Sequence, residues 1–322
     1  MKTTRLGRSE LRVSPIAFGT WQLGGDWGVT DEEAAIAAIR RAFDRGINFF
    51  DTAQAYGFGA SETVLAKALK GRPRDQVVIA TKGGLRPTAG GTVRDSSPGW
   101  IRTGVDSSLK ALGTDYIDLY QIHWPDSKVP FAETAGALAD LMAAGKIRHV
   151  GVSNFDSAEM GEFSQTLPIE TLQPVYHLFR RDIEESVLPY TKAHDIGVLV
   201  YGPLGHGLLS GALTTETRFA PDDWRSKSDV FRGEPYRRNL RVVDALNRFA
   251  QLELGTSVSR LATAWTLANP AVQVAIVGTR NPAHIDDAIA AADLTLDASA
   301  LRRIDDIISD EVRVGGPTPE SV

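Results

Sequence analysis

Short apolar runs alternate along the chain with stretches whose apolar residues recur every three or four positions. The runs are Pro15–Gly19, Ile47–Phe50, Val77–Thr81, Tyr116–Ile122, Lys146–Val152, Glu170–Gln173, Ile196–Val200 and Val272–Val277; their lengths suit buried strands. Between them, Ile36, Ile39 and Phe43 keep helical spacing, as do Ile101, Val105, Leu109 and Leu112. Phe131, Ala135, Leu138 and Met142 repeat it, and so do Ile183, Val187 and Tyr190. Strand, helix and strand in regular succession imply parallel pairing, because a parallel neighbour needs a crossover that a helix supplies. Eight such units can close into a barrel; an open doubly wound sheet is the alternative, since periodicity does not report closure.

Helix starts are marked by residues that satisfy free backbone donors. Thr30 with Glu33 and Asp156 with Glu159 read as capping boxes, and Ser97-Pro98 and Asn281-Pro282 as further starts. Ahead of the repeat, Thr3–Arg5 and Leu11–Val13 flank the turn Gly7-Arg8-Ser9-Glu10, a hairpin suited to plugging one barrel end. Two departures stand out: a polar stretch from about Thr214 to Asn239, read as a lid or substrate loop, and an extra helical segment near Ser257–Leu267. Residues 1–322 are expected to form one domain, because α/β barrels commonly exceed 250 residues.

Composition narrows the function. A net charge of -5 and a pI near 5.7 provide no basic field for nucleic acid or anionic lipid. The absence of cysteine excludes disulfides, thiolate nucleophiles and cysteine-ligated metal centres. No histidines stand at zinc spacing, so no metal is expected. The chain lacks a signal-peptide pattern and any apolar run of membrane-spanning length, which points to the cytoplasm.

The chemistry lies at the strand ends. Asp51, Lys82 and His123 each follow an apolar run, and Tyr56 sits in the loop beyond Asp51. Carboxyl ends of barrel strands share one rim, so these residues become neighbours there. Each alone has a plainer reading: Asp51 as a helix cap, Lys82 as a solvated rim lysine, His123 as a satisfied buried histidine. Together they suit one task. A phenol has a reference pKa of about 10 and donates poorly at neutral pH; an adjacent ammonium favours its phenolate, and an aspartate keeps that ammonium charged and aimed. The group so assembled would protonate a carbonyl oxygen. No side chain here supplies the matching hydride, so a nicotinamide must. A Rossmann fingerprint is absent, and Gly205 to Gly211 reads as a tight rim loop instead.

Six stretches then carry a resemblance: Asn48 to Gly57, Thr81-Lys82, Gln121-Ile122-His123-Trp124, Gly151 to Phe155, Tyr201-Gly202-Pro203-Leu204 and Val277-Gly278-Thr279-Arg280. In these the chain resembles the aldo-keto reductases over nearly its whole length, and its long seventh loop resembles the bacterial and potassium-channel-subunit branch. The resemblance implies a (β/α)8 TIM barrel binding NADP(H) at the carboxyl rim, with NAD(H) the less favoured cofactor. It implies Tyr56 as proton donor, Lys82 as its partner, Asp51 as counterion and His123 as the group orienting the carbonyl. By the same resemblance Ser153, Asn154 and Gln173 hold the nicotinamide carboxamide and Tyr201 stacks on the ring. Gly202, Pro203 and Leu204 cover the pyrophosphate, with Gly19, Thr20, Trp21, Gly205, Gly207, Gly278 and Thr279 nearby. Arg280 meets the adenosine 2'-phosphate. Relatives carry Gln and then Glu-Asn in the last helix, where this chain has His284, Asp287 and Ala288; Asp287 remains able to accept from adenine and His284 to neighbour the phosphate. Trp21, Trp27, Trp124, Trp224 and Phe231 are expected to line an apolar substrate pocket. The implied activity is reduction of aldehydes or ketones, with a cofactor-sensing regulatory subunit of negligible turnover as the alternative. A small carbonyl compound or alcohol is the expected partner, without nucleic acid or membrane.

Overall fold

The structure is a computed structural model that describes residues 1–25, 31–221, 223–279 and 281–314. Among these, eight parallel strands close into a barrel in chain order: β1 Ile16–Gly19, β2 Phe49–Asp51, β3 Val78–Gly83, β4 Ile117–Ile122, β5 Ile147–Ser153, β6 Thr171–Gln173, β7 Gly197–Tyr201 and β8 Val274–Val277. β8 returns to β1 through the register Ile276 to Ala17, which closes the ring. The open sheet is thereby excluded. Four of the eight strands, β2, β3, β5 and β7, run one or two residues further toward their carboxyl ends than the apolar runs do. The reason is that rim residues are still paired in the ladder: Asp51 with Gly19, Lys82 with Gln121, and Ser153 with Gln173.

Alternation along each strand sorts the side chains into two cores. Ala17, Phe49, Ala80, Leu119, Leu199 and Val274 fill the barrel. Ile16, Phe18, Phe50, Ile79, Val150, Val152, Val198 and Val200 face the surrounding helices. The amino-terminal hairpin, Thr4–Arg5 paired with Arg12–Val13, adds Leu6, Leu11 and Val13 to the barrel interior and so closes the end away from the rim. Its turn lies so near the start of β7 that a Cβ on Gly7, whose φ is +55°, would stand 2.0 Å from the Gly197 nitrogen.

The helices are α1 Glu32–Asp44, α2 Ala60–Leu69, α3 Pro98–Leu112, α4 Phe131–Ala143, α5 Ser157–Phe163, α6 Val187–Ala193, α7 Gly233–Glu253, α8 Val258–Ala268, α9 Ala283–Ala291 and α10 Ala298–Ile308. The Asp156–Glu159 capping box opens α5, and Ser97 caps α3. Thr30 lies outside the described residues; Asp31 is the residue whose side chain accepts from Ala34 at the start of α1. Three expectations need correction. The helix read through Ile183, Val187 and Tyr190 is split into a short 3-10 turn, Asp182–Glu184, and α6. Pro189 belongs in a first turn, so α6 cannot extend far back from it. The long polar stretch ends at Gly233, not Asn239, because Pro235 sits in the first turn of α7. The segment near Ser257–Leu267 is not extra: α8 packs on β8 and α9 as a ring helix, while α7 lies outside it against α8 and α10. A rim hairpin, Leu85–Thr88 with Gly91–Arg94, follows β3 without any sequence signal read above. Among the described residues no helix is long and apolar enough to cross a membrane.

Candidate active site

Asp51 ends β2, Lys82 stands next to last in β3, His123 follows β4, and Tyr56 enters from the loop after β2. All four are buried. The Lys82 ammonium donates to Asp51 Oδ2 at 2.7 Å, to the Thr52 carbonyl at 3.0 Å and to the Tyr56 hydroxyl oxygen at 3.3 Å. Three donors thus meet three acceptors, the condition under which a charged pair is tolerated in an interior. Asp51 Oδ1 accepts from Gln173 Nε2 at 2.8 Å. Tyr56 is delivered by a tight turn: Gly57, Phe58 and Gly59 take φ values of +65°, +44° and +101°, carrying the chain directly into α2.

His123 stands edge-on to the Tyr56 ring, with centroids 5.8 Å apart. Both its ring nitrogens are buried and without a hydrogen-bond partner among the described residues. Burial, and then the Lys82 charge, hold its pKa well below the ordinary histidine value, so the ring is neutral. A buried imidazole with unsatisfied nitrogens calls for a ligand or water oxygen.

A cavity of about 500 Å³ starts at Asp51, Tyr56 and Trp21 and runs past Gln173, Tyr201 and Gly202-Pro203-Leu204. It continues between Gly19, Gly207 and Gly278 to Thr279, Asn281 and His284 at the start of α9. Its floor is built from close backbone. A Cβ on Gly19 would stand 2.7 Å from Ile276 Cγ2, and one on Gly278 3.0 Å from the Gly19 oxygen. The lining joins Asp51 and Tyr56, beside His123, to residues at the start of α9, and a helix N-terminus there suits the anionic part of a dinucleotide.

Several residues read from the sequence stand behind this cavity instead of lining it. Thr20 is fully buried and bonded to the Asp51 carbonyl. Ser153 donates to the Gln173 carbonyl; Asn154 donates to the His123 carbonyl and Ser153 Oγ and accepts from the Tyr201 hydroxyl at 3.0 Å. Together they brace Tyr201 and His123. Gly205 is buried against His177. Asp287 accepts from Arg260 and Ser259 and is not among the described residues that line the cavity. Trp124 packs under the Arg94 guanidinium. Trp224 stacks on Trp21 at 6.4 Å and Phe231 lies behind Trp224. Trp27 and Arg280 lie outside the described residues. Lining residues missed in the sequence are Gln22, His206, Ser210, Arg225, Ile276, Val277 and Asn281, the last read only as a helix start. His206 was inside the glycine-rich loop already noted. Arg225 was hidden in the long polar stretch.

Barrel, rim and buried Tyr–Lys–Asp–His group together define an oxidoreductase-type site on a (β/α)8 scaffold. The comparisons agree: the model for the Aldo/keto reductase family matches residues 15–309, and the chain belongs to that family, whose enzymes use nicotinamide cofactors. It is similar to the aldo-keto reductase YhdN of Bacillus subtilis (strain 168), 42% identical over 97% of this chain and 95% of that one. It is 34% identical to the NADH-specific methylglyoxal reductase of Escherichia coli (strain K12), over 94% of this chain and 98% of the other. Among solved structures, the glycerol dehydrogenase AKR11B4 from Gluconobacter oxydans superposes with a TM-score of 0.89 at 37% identity, covering 100% of this chain and 98% of that one.

Proposed function

We propose that this chain, as one barrel domain, reduces small aldehydes and ketones with NADP(H), Tyr56 acting as general acid. The observation that carries the reading is the Lys82 ammonium 3.3 Å from the Tyr56 oxygen. That oxygen accepts from the ammonium, so its own proton is not used in the bond, and the ammonium stabilises the phenolate that proton transfer leaves. Asp51 keeps the ammonium aimed. Neutral His123 donates a hydrogen bond to the same substrate oxygen and fixes the carbonyl beside Tyr56. The nicotinamide, when bound, supplies the hydride.

Tyr201 and Gln173 would flank the nicotinamide, Gly202-Pro203-Leu204 the pyrophosphate, and Thr279, Asn281 and His284 the adenosine end. The cofactor preference rests on charge. Asp51 is the one carboxylate among the described lining residues, so none of the described lining residues near His284 would repel a 2'-phosphate. Acidic residues at that position are the usual device for selecting NAD by its ribose hydroxyl. Two relatives are named for methylglyoxal and glycerol, both three-carbon compounds, and the Trp21–Trp224 wall beside Tyr56 agrees with a narrow substrate space.

The test is oxidation of NADPH against NADH over a panel of aldehydes, ketones and sugars, with wild type and Tyr56→Phe. Turnover with NADPH that falls by about 10² to 10⁴ in the variant, cofactor binding being retained, supports the reading. Unchanged turnover in the variant sinks it. Tight NADPH binding without turnover on any carbonyl would favour the cofactor-sensing alternative.

A further inference from the structure

Lys82 lies between two residues that point the other way. Strand alternation turns Lys82 into the barrel and Thr81 and Gly83 out toward α2 and α3. Behind the wall, Thr81 Oγ1 donates at 2.7 Å to Oε1 of Glu62, a fully buried carboxyl on α2. Gly83 faces the Tyr120 hydroxyl so closely that a Cβ there would be 1.9 Å from its oxygen. The backbone NH of Gln54 donates to the Lys82 carbonyl at 3.1 Å. Thr81 is therefore anchored on this outer side, and the space beside Gly83 admits no side chain.

The outer side is also a polar chamber. Glu62 Oε2, Ser108 Oγ, Tyr120 OH and Gln54 Oε1 are all buried and lack hydrogen-bond partners among the described residues. A Cβ on Gly104 would lie 3.1 Å from both the Gln54 and the Tyr120 oxygens, so this helix glycine leaves the space open. Burial raises the Glu62 pKa above the usual carboxylate range, opposed by the Thr81 and Ser108 hydroxyls and by the Lys82 charge across the wall. Burial, and then Glu62, raise Tyr120 too. These are the ionisable groups that the chamber brings to Glu62.

We infer that Glu62 is a positioning residue for Lys82, holding the end of β3 through Thr81 so that the ammonium keeps its distance from Tyr56. The inference rests on the reductase reading, in which Lys82 makes the Tyr56 proton available. A strand end gripped from outside at residue 81, and from inside by Asp51 at residue 82, cannot rotate without breaking a buried bond. The Thr81 hydroxyl needs only an sp² oxygen to donate to, and an amide offers one, so Glu62→Gln is the faithful substitute.

The experiment compares Thr81→Val, Glu62→Leu and Glu62→Gln with wild type. It reads kcat and KM against pH, NADPH dissociation by fluorescence quenching, melting temperature, and the Tyr56 phenolate titration, taken as the ultraviolet difference from Tyr56→Phe. Thr81→Val and Glu62→Leu are expected to lower kcat by about tenfold to a hundredfold and to move its alkaline limb and the phenolate titration upward. NADPH affinity should stay within about twofold, a margin worth well under the 1.4 kcal/mol of a tenfold change. Glu62→Gln should keep the wild-type profile. Thr81→Val removes one hydroxyl at constant shape, so it decides the matter even if Glu62→Leu does not fold. Lower melting temperatures with an unmoved pH profile and phenolate titration would overturn the inference. If wild type turns over no carbonyl, the reductase reading fails, while the phenolate titration still tests whether Glu62 acts on the Tyr56–Lys82 pair.

Discussion

The Asp51–Lys82 pair is where single residues matter most. Lys82 is buried and satisfies three acceptors, so removing it leaves the Asp51 carboxylate with Gln173 but no counter-charge. Breaking a buried pair on one side costs about 3–5 kcal/mol. Lys82→Met is therefore expected to lose both activity and stability, whereas Tyr56→Phe loses activity alone. Denaturant unfolding of the two variants checks this: equal midpoints would contradict the buried-pair account. The identities of these residues were plain from their place at the ends of apolar runs. Their hydrogen bonds were not, because residues 51, 56, 82 and 123 are far apart until the barrel closes.

Among elements, the segment between Gly211 and α7 bears on specificity. Asp223 accepts from the backbone and guanidinium of Arg225, Arg225 also reaches the His206 carbonyl, and this clasp sets Trp224 against Trp21 and His206. Trp21 in turn stands 6.4 Å from the Tyr56 ring. The loop thus fixes the wall beside the proton donor. Trp224→Ala is expected to raise kcat/KM for longer or branched aldehydes relative to propanal by about tenfold, a change of the size a single pocket group commands. A chain-length profile identical to wild type would show that the loop does not set the wall. The sequence marked this stretch as an unusual insertion by length and polarity. Its end at Gly233 was carried by Pro235, a first-turn signal easily lost among neighbouring charges.

Across the whole molecule, the carboxyl-terminal residues strap distant elements together. Val314 donates to the Phe179 carbonyl, and Val312 exchanges two hydrogen bonds with Asn239 of α7. Glu311 is trapped beneath that strap, one oxygen buried without a partner among the described residues and Arg313 no nearer than 4.0 Å. Burial pushes its pKa up to about 7, against weaker pulls from Arg313 and Arg181. The folded chain therefore binds this proton more tightly than the unfolded one. Its contribution to stability is present below the ordinary carboxylate pKa and lost as pH rises through about 7. Glu311→Gln is expected to melt higher than wild type at pH 8, by roughly 2 °C or more, and to lose that advantage below the ordinary carboxylate pKa, at about pH 4. The reverse order in a pair of thermal scans would refute the burial argument.

Apolar periodicity by itself determined the succession of strands and helices, and polar residues at the run ends determined the chemistry, because both depend on local spacing and residue type. Closure of the ring, the ring place of α8, the rim hairpin and the depth of Glu62 were decided only in three dimensions. The same local pattern serves an open or a closed sheet, and a carboxyl in an amphipathic helix reads as solvated until a second helix and a strand cover it. Asp287 makes the same point: no local spacing announced that Arg260 would reach it from α8.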